Sequence, residues 1–177
     1  ELRLPLVDIL FADLGLSSPH IDEPERGFTF QQDVPLDLRF NRSTGMTGAE
    51  LIQQLSEAEL LHILNDYGEI HPAQKLVRTL KATQINTTGD VRTAVESVYG
   101  HRSNKLLPQV FQALRIAVND EMHALKTLLS VGPQLLKPDG RMGVISYHSL
   151  EDRPVKQAFK ALSTPEKDDQ TGAVSLD

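Results

Sequence analysis

The chain predicts an α/β fold: two parallel strands, with an all-helical subdomain inserted in the connection between them. Three observations point there. Val7-Asp8-Ile9-Leu10-Phe11-Ala12 and Arg141-Met142-Gly143-Val144-Ile145-Ser146-Tyr147 are short apolar runs with β-branched residues, bounded by turn signals, the pattern of buried strands. Helical patterns fill the chain from about residue 46 to about residue 130, far more than the dozen residues a parallel crossover needs. Each apolar run also ends in a polar cluster, Asp13-Leu14-Gly15-Leu16-Ser17-Ser18-Pro19-His20 and His148-Ser149-Leu150-Glu151-Asp152-Arg153. In open α/β sheets, ligands sit just beyond the carboxyl ends of the strands. Two parallel strands would therefore bring hydroxyl, imidazole and carboxylate groups to one rim.

The first strand covers about residues 6–13. A loop rich in Pro, Asp and Gly follows to about Gly45, and loops this long inside a compact domain are functional or disordered. Thr47-Gly48-Ala49-Glu50 and Ser56-Glu57-Ala58-Glu59 each fit the capping box, in which a hydroxyl and a glutamate satisfy free backbone donors reciprocally. The helix opened by the second stops near Gly68. Leu76, Val77 and Leu80 share one helical face, with Lys75, Arg78 and Lys81 largely on the other. A short helix spans about 89–99. Pro108 suits the first turn of a helix running through Phe111, Leu114, Arg115 and Val118. Asn119, with Asp120 and Glu121 behind it, reads as the N-cap of the next helix, to about Ser130. Pro133, Pro138 and Gly140 punctuate the approach to the second strand. Ser149, with Glu151 and Asp152, starts a last helix to about Leu162, and the tail from Ser163 reads as frayed.

A length of 177 residues with 40% hydrophobic content suits one domain carrying an insertion. Zero cysteines exclude disulfides and thiolate metal sites. No stretch has the apolar length that spans a bilayer and the start does not read as a signal peptide, so the expectation is a soluble, cytoplasmic protein with no membrane partner. The net charge of −6 is uneven: −9 over residues 1–70, +4 over 71–105 and −1 over 106–177. Only the middle stretch could face a phosphate backbone, although charge alone favours the plainer reading of a solvated helix face.

Three chemistries compete for the polar clusters. Ser17, His20 and Asp13 supply the residue types of a serine hydrolase, but no G-x-S-x-G elbow is present. Asp13, His20, His148 and Glu151 could bind a metal, but there is no H-E-x-x-H, and no metal is expected. Group transfer to a nucleobase amine needs hydrogen-bond acceptors at a strand end, because the amine lone pair is delocalised into the ring and its N–H groups must be drawn on during attack. The clusters offer that arrangement. Their plainer readings are a turn for the first and a capped helix start for the second.

Several blocks then occur in a telling order: Asp13-Leu14-Gly15-Leu16-Ser17-Ser18-Pro19, Glu25-Arg26-Gly27-Phe28, Pro35-Leu36-Asp37-Leu38-Arg39, Tyr67-Gly68-Glu69, Phe111-Gln112-Ala113-Leu114-Arg115-Ile116 with Asn119 and Glu121, and His148-Ser149-Leu150-Glu151-Asp152-Arg153-Pro154-Val155-Lys156. Together they closely resemble the bacterial ribosomal small subunit methyltransferase H family, also called MraW, over nearly all of residues 6–160. The resemblance implies a partial Rossmann-like class I methyltransferase sheet. It also implies transfer of a methyl group from S-adenosylmethionine to N4 of a decoding-centre cytosine in 16S ribosomal RNA, within the small ribosomal subunit.

Roles follow from the resemblance. Asp13 matches the family's cofactor-binding aspartate, and His20 falls where a second cofactor contact, commonly glutamine, stands. Asp13, Ser17, Ser18 and His148 are expected near the methyl-transfer point. From local charge, Lys75, Arg78, Lys81, Arg102 and Lys105 are expected on phosphates. Arg26 and Phe28 are candidates to hold or stack an extruded base, since chemistry on a base takes it from its stack. Residues 1–45 and 106–165 are expected to form the partial sheet domain, 46–105 the substrate-recognition insertion, and 166–177 a flexible tail. The family's glycine-rich cofactor loop, ending Gly-Gly-His, has no match among the eleven glycines, so the chain is expected to be a fragment with only part of the active site. A two-strand parallel remnant leaves open edges, which a homodimer is one way of covering. The competing expectation is a non-catalytic module that binds RNA or a partner through its helices.

Overall fold

The computed structural model describes residues 5–17, 20 and 23–163. Ser18, Pro19 and the tail 164–177 lie outside the described residues. The chain divides into two compact units, Glu1–Gly15 with Met122–Asp177, and Leu16–Glu121.

The first unit contains the sheet. β1 (Val7–Asp13) pairs in parallel with β2 (Leu136–Ile145). The architecture is α/β, a partial Rossmann-like sheet with its helical insertion, as the sequence predicts. β2 starts earlier than expected, before Pro138 and Gly140. Its ladder steps from Val7↔Leu136 to Ile9↔Arg141, so residues 137–140 form an irregular excursion, with Asp139 at φ 64°. Proline and glycine are tolerated there because the excursion asks for no ladder hydrogen bond. From Ile9↔Arg141 the rungs run unbroken to Asp13↔Ile145. A Cβ on Gly132 would meet Met142 and Leu10, so the turn Gly132–Leu135 approaches the sheet through a glycine. Another helix of this unit runs Ser149–Ser163 and buries Glu151 and Val155.

The second unit is helical. α1 (Gly48–Gln54) and α2 (Glu57–Asp66) each open on a complete capping box, from Thr47 with Glu50 and from Ser56 with Glu59, as expected. α3 (Gln74–Ala82) buries Leu76, Val77 and Leu80. α4 (Thr88–Tyr99) opens on a third capping box, Thr87 with Asp90. α5 (Ser103–Asn119) packs on α2 and α4, and α3 packs on α2 and α4. The main hydrophobic core runs from Leu36 to Leu114 and lies wholly in this unit. α6 (Glu121–Val131) follows, and the Ser149–Ser163 helix is α7.

Two helix-end expectations are corrected. Pro108 is inside α5, not in its first turn, because the single-turn helix Gly100–Arg102 feeds straight into Ser103 and starts α5 five residues earlier. Asn119 does not cap the next helix. It is the last residue of α5, and Asp120 ends that helix in the left-handed region at φ 49°.

Residues 23–45 run as a strap whose Leu36 and Leu38 are in the core. Leu36 N donates to Asn86 O and Thr88 N to Val34 O, tying the strap to the start of α4. By packing, this strap and α5 belong to the helical unit.

Candidate functional site

The parallel register fixes the strand-end cluster. Asp13 pairs with Ile145, and Leu14 N donates to Ile145 O at 3.2 Å, so both strands end at the same level. Beyond them Gly15 turns at φ 87°, a conformation glycine adopts without strain. Tyr147 lies over this turn, with its Cδ2 3.8 Å from where a Gly15 Cβ would stand. Its hydroxyl donates to Asp13 Oδ1 at 2.9 Å. The Asp13 hydrogen bond and negative charge both favour the protonated phenol, pushing the Tyr147 pKa above its ordinary value. Asp13 stays exposed, so its carboxylate is open to a further donor.

Glu151 organises the second strand end. It is buried, and its Oε2 accepts from Tyr147 N at 2.9 Å. Its Oε1 lies 3.1 Å from His148 Nε2, within ion-pair range but off the axis of a ring N–H hydrogen bond. Both His148 ring nitrogens are buried with no hydrogen-bond partner among the described residues. His148 O accepts from Glu151 N and Asp152 N, which starts α7. Tyr147 joins the cluster that the sequence predicts around Asp13, His148 and Glu151. Its backbone bond to Glu151 is local, whereas its hydroxyl bond to Asp13 depends on the strand register.

The helical unit holds Ser17 and His20. Ser17 N donates to His20 Nδ1 at 3.3 Å and Ser17 Oγ lies 2.9 Å from the same nitrogen. Nδ1 is therefore the acceptor, and a neutral ring carries its proton on Nε2. Burial, then the Arg26 cation, lower the His20 pKa below the ordinary histidine value, with Glu23 opposing them. The ring stacks on Phe40, centroids 5.0 Å apart at 25°, and lies 5.5 Å from Phe28.

Several expected RNA contacts are structural. Arg26 is largely buried, and its Nη2 donates to Arg39 O and Phe40 O at 2.9 and 2.7 Å. Lys81 Nζ donates to Ile52 O, Gln53 O and Leu55 O, at 2.9, 2.7 and 2.7 Å. An ammonium has three donors, so Lys81 is fully used in closing the C-terminus of α1. Phe28 stacks with Phe40 at 5.8 Å. Lys75, Arg78, Arg102 and Lys105 are exposed.

Polar residues within the resembling blocks hold the strap. Asp37 is buried and takes Arg39 Nε and Nη2 at 2.6 and 3.1 Å, with Arg42 Nε at 3.3 Å. Burial pushes the Asp37 pKa up, but the Arg39 hydrogen bonds and both cations outweigh it and hold it below the ordinary value. Asn119 accepts from Phe40 N and donates to Leu38 O, both at 2.7 Å. Arg115 makes a two-point pair with Glu121 at 2.8 and 3.1 Å. Among the described residues no group of three His, Asp or Glu side chains could hold a metal ion, and no helix is long and apolar enough to cross a membrane.

Comparison with known proteins gives this geometry a context. The model of the MraW methylase family matches residues 2–171. A Bacteroides thetaiotaomicron protein named ribosomal RNA small subunit methyltransferase H is 45% identical over 159 residues, covering 87% of this chain and 52% of the relative. A protein of the same name from Phocaeicola vulgatus is 46% identical over the same shares. That of Acinetobacter baumannii strain SDF is 40% identical over 175 residues, 97% of this chain and 57% of the relative. The chain thus spans about half the length of the curated relatives it matches. It belongs to the MraW methylase family.

Proposed function

We propose that this MraW-family chain carries the strand-end portion of a ribosomal RNA methyltransferase. The reaction is methylation of the N4 amine of a decoding-centre cytosine in 16S ribosomal RNA, with S-adenosylmethionine as donor. The observation that carries the reading is the Asp13↔Ile145 rung, which sets an exposed carboxylate beside the Tyr147–His148 segment at one sheet edge. The family and the names of its relatives support the reaction class and the RNA substrate.

The residues present fit a methyl donor with amine and hydroxyl donors. Asp13 is an exposed acceptor at a parallel strand end. When bound, S-adenosylmethionine supplies an electrophilic methyl carbon. Asp13 accepts hydrogen bonds and favours developing positive charge nearby. His148 sets its imidazole beside the buried Glu151 carboxylate at the strand–helix junction, and is the group proposed to accept the proton that the amine releases. His20, with Nδ1 occupied by Ser17, offers Nε2–H as the donor that glutamine would supply in the family. Ser17 acts through that ring, and Ser18 remains a proposed neighbour of the transfer point. Lys75, Arg78, Arg102 and Lys105 contact phosphates, with affinity that falls steeply with salt.

The test is methyl transfer from labelled S-adenosylmethionine to small subunits lacking the modification, by a full-length relative carrying this chain's residues in the matching stretch, with digestion to nucleosides. N4-methylcytidine is expected, and Asp13→Ala should abolish it; a different labelled nucleoside would overturn the assignment. A second reading is favoured by one observation, that the main core lies wholly in Leu16–Glu121. On it, the helical unit is a non-catalytic RNA-binding module. Salt-sensitive RNA binding with no affinity for S-adenosylmethionine would select it.

A further inference from the structure

Three residues of the strap, Leu38 to Phe40, have every backbone polar group engaged. Leu38 N donates to Arg26 O at 2.9 Å, and Leu38 O accepts from Asn119 Nδ2 at 2.7 Å. Arg39 N donates to Asp37 Oδ1 at 3.3 Å, and Arg39 O accepts from Arg26 Nη2 at 2.9 Å. Phe40 N donates to Asn119 Oδ1 and Phe40 O accepts from Arg26 Nη2, both at 2.7 Å. Within this segment Leu38 sits at φ 65°, a left-handed conformation that a branched side chain adopts only where its surroundings over-determine it. Asn119 spans Arg39 as the edge of a neighbouring strand would, and a third bond, Nδ2 to Arg115 O at 2.9 Å, anchors its amide to α5. The segment presents one large group, the Phe40 ring, to His20.

We propose that Asn119 is a positioning residue: its amide, together with the Arg26 guanidinium, holds Phe40 against His20 and so fixes the plane in which the imidazole offers Nε2–H. The proposal rests on the reading of His20 as a cofactor contact. The geometry makes specific demands on the amide. Asn119 needs an acceptor for Phe40 N and a donor for Leu38 O at once. An aspartate of the same shape keeps the first and sets two acceptors against each other at the second.

The experiment follows the histidine ring signals of the full 177-residue chain by carbon-edited NMR, with His20 assigned by its loss in His20→Gln. In the parent, stacking shifts the His20 ring protons upfield. Phe40→Leu should remove that displacement. Asn119→Asp should remove most of it while the His62 and His123 signals stay in place, and Arg26→Lys, which keeps the charge without the fork, should do the same. A purely stabilising role for Asn119 would leave the His20 shift of the folded chain unchanged. An unmoved shift in Asn119→Asp with a moved one in Phe40→Leu overturns the proposal, as does an unmoved shift in Phe40→Leu. If Asn119→Asp does not fold, Arg26→Lys decides by the same signal. In a second arm, with this stretch placed in a full-length relative that carries the family's glycine-rich loop, calorimetry with S-adenosylmethionine should show a several-fold weaker Kd in Asn119→Asp, as in His20→Ala. No binding by any variant would defeat the cofactor reading and leave the ring shift to decide the clamp.

Discussion

The two units of this chain solve burial differently. In Leu16–Glu121, residues such as Leu60, Leu64, Leu76 and Leu114 are fully enclosed by helices packed on all sides. In the sheet unit, Ile9 and Phe11 of β1 are 69% and 64% exposed. Parallel sheets are ordinarily covered on both faces. The helical unit therefore derives its stability from within, whereas the sheet unit is set out by register and hydrogen bonding with little enclosed apolar area. The candidate chemistry at Asp13 and His148 sits on the less enclosed unit.

Substitutions can break this contrast. Leu64→Ala should cost about 2–5 kcal/mol, as for a large-to-small change in a closed core. Ile9→Thr should stay within about 0.5 kcal/mol. Urea midpoints check both, and a large loss from Ile9→Thr would show that its face is covered in solution. Lys81→Met leaves three carbonyls short of a charged donor and should cost about 1–3 kcal/mol. Lys75→Met, on the exposed side of the same helix, should leave stability unchanged and weaken RNA binding. Equal loss of RNA affinity in both variants at unchanged stability would return Lys81 to the phosphate contacts.

Smaller effects sharpen the same picture. Thr47→Ala and Ser56→Ala should each lower stability by about 1 kcal/mol, and both transitions should be reported by helical circular dichroism. Asp37 gives the acid limb. Its folded pKa is depressed, so its contribution is present above the ordinary aspartate value of about 3.9 and is lost as pH falls through the folded value. Asp37→Asn should flatten that limb in midpoint-against-pH curves. An unchanged limb would remove Asp37 from the account.

Much of this was legible in the residues. The apolar run predicts β1 over about 6–13, and the strand is Val7–Asp13; the Thr47 and Ser56 boxes and the α7 start at Ser149 are where local chemistry puts them. These features are decided within four or five residues. Asn119 reads as a cap because asparagine suits a helix start, whereas it closes α5 as its last residue and the partners that occupy its amide, Leu38 and Phe40, are 81 and 79 residues away. Lys81 followed the spacing of a solvated face, but its bonds to Ile52, Gln53 and Leu55 belong to another helix. Tyr147 could be tied to Asp13 only once the register was known. Pro108 sits where packing outweighed its usual preference for a first turn.

The excursion at 137–140 has a consequence for how the sheet tolerates change. Between the Val7↔Leu136 and Ile9↔Arg141 rungs, one residue of β1 is matched by four of β2. Slack is thus stored upstream, away from the rungs that align Asp13 with Ile145. Lengthening or shortening the chain by one residue between Lys137 and Gly140 would be absorbed there, while the same edit between Met142 and Ile145 would turn every later side chain to the opposite face. Variation in this family member can accumulate at one end of β2 without disturbing the alignment at the other.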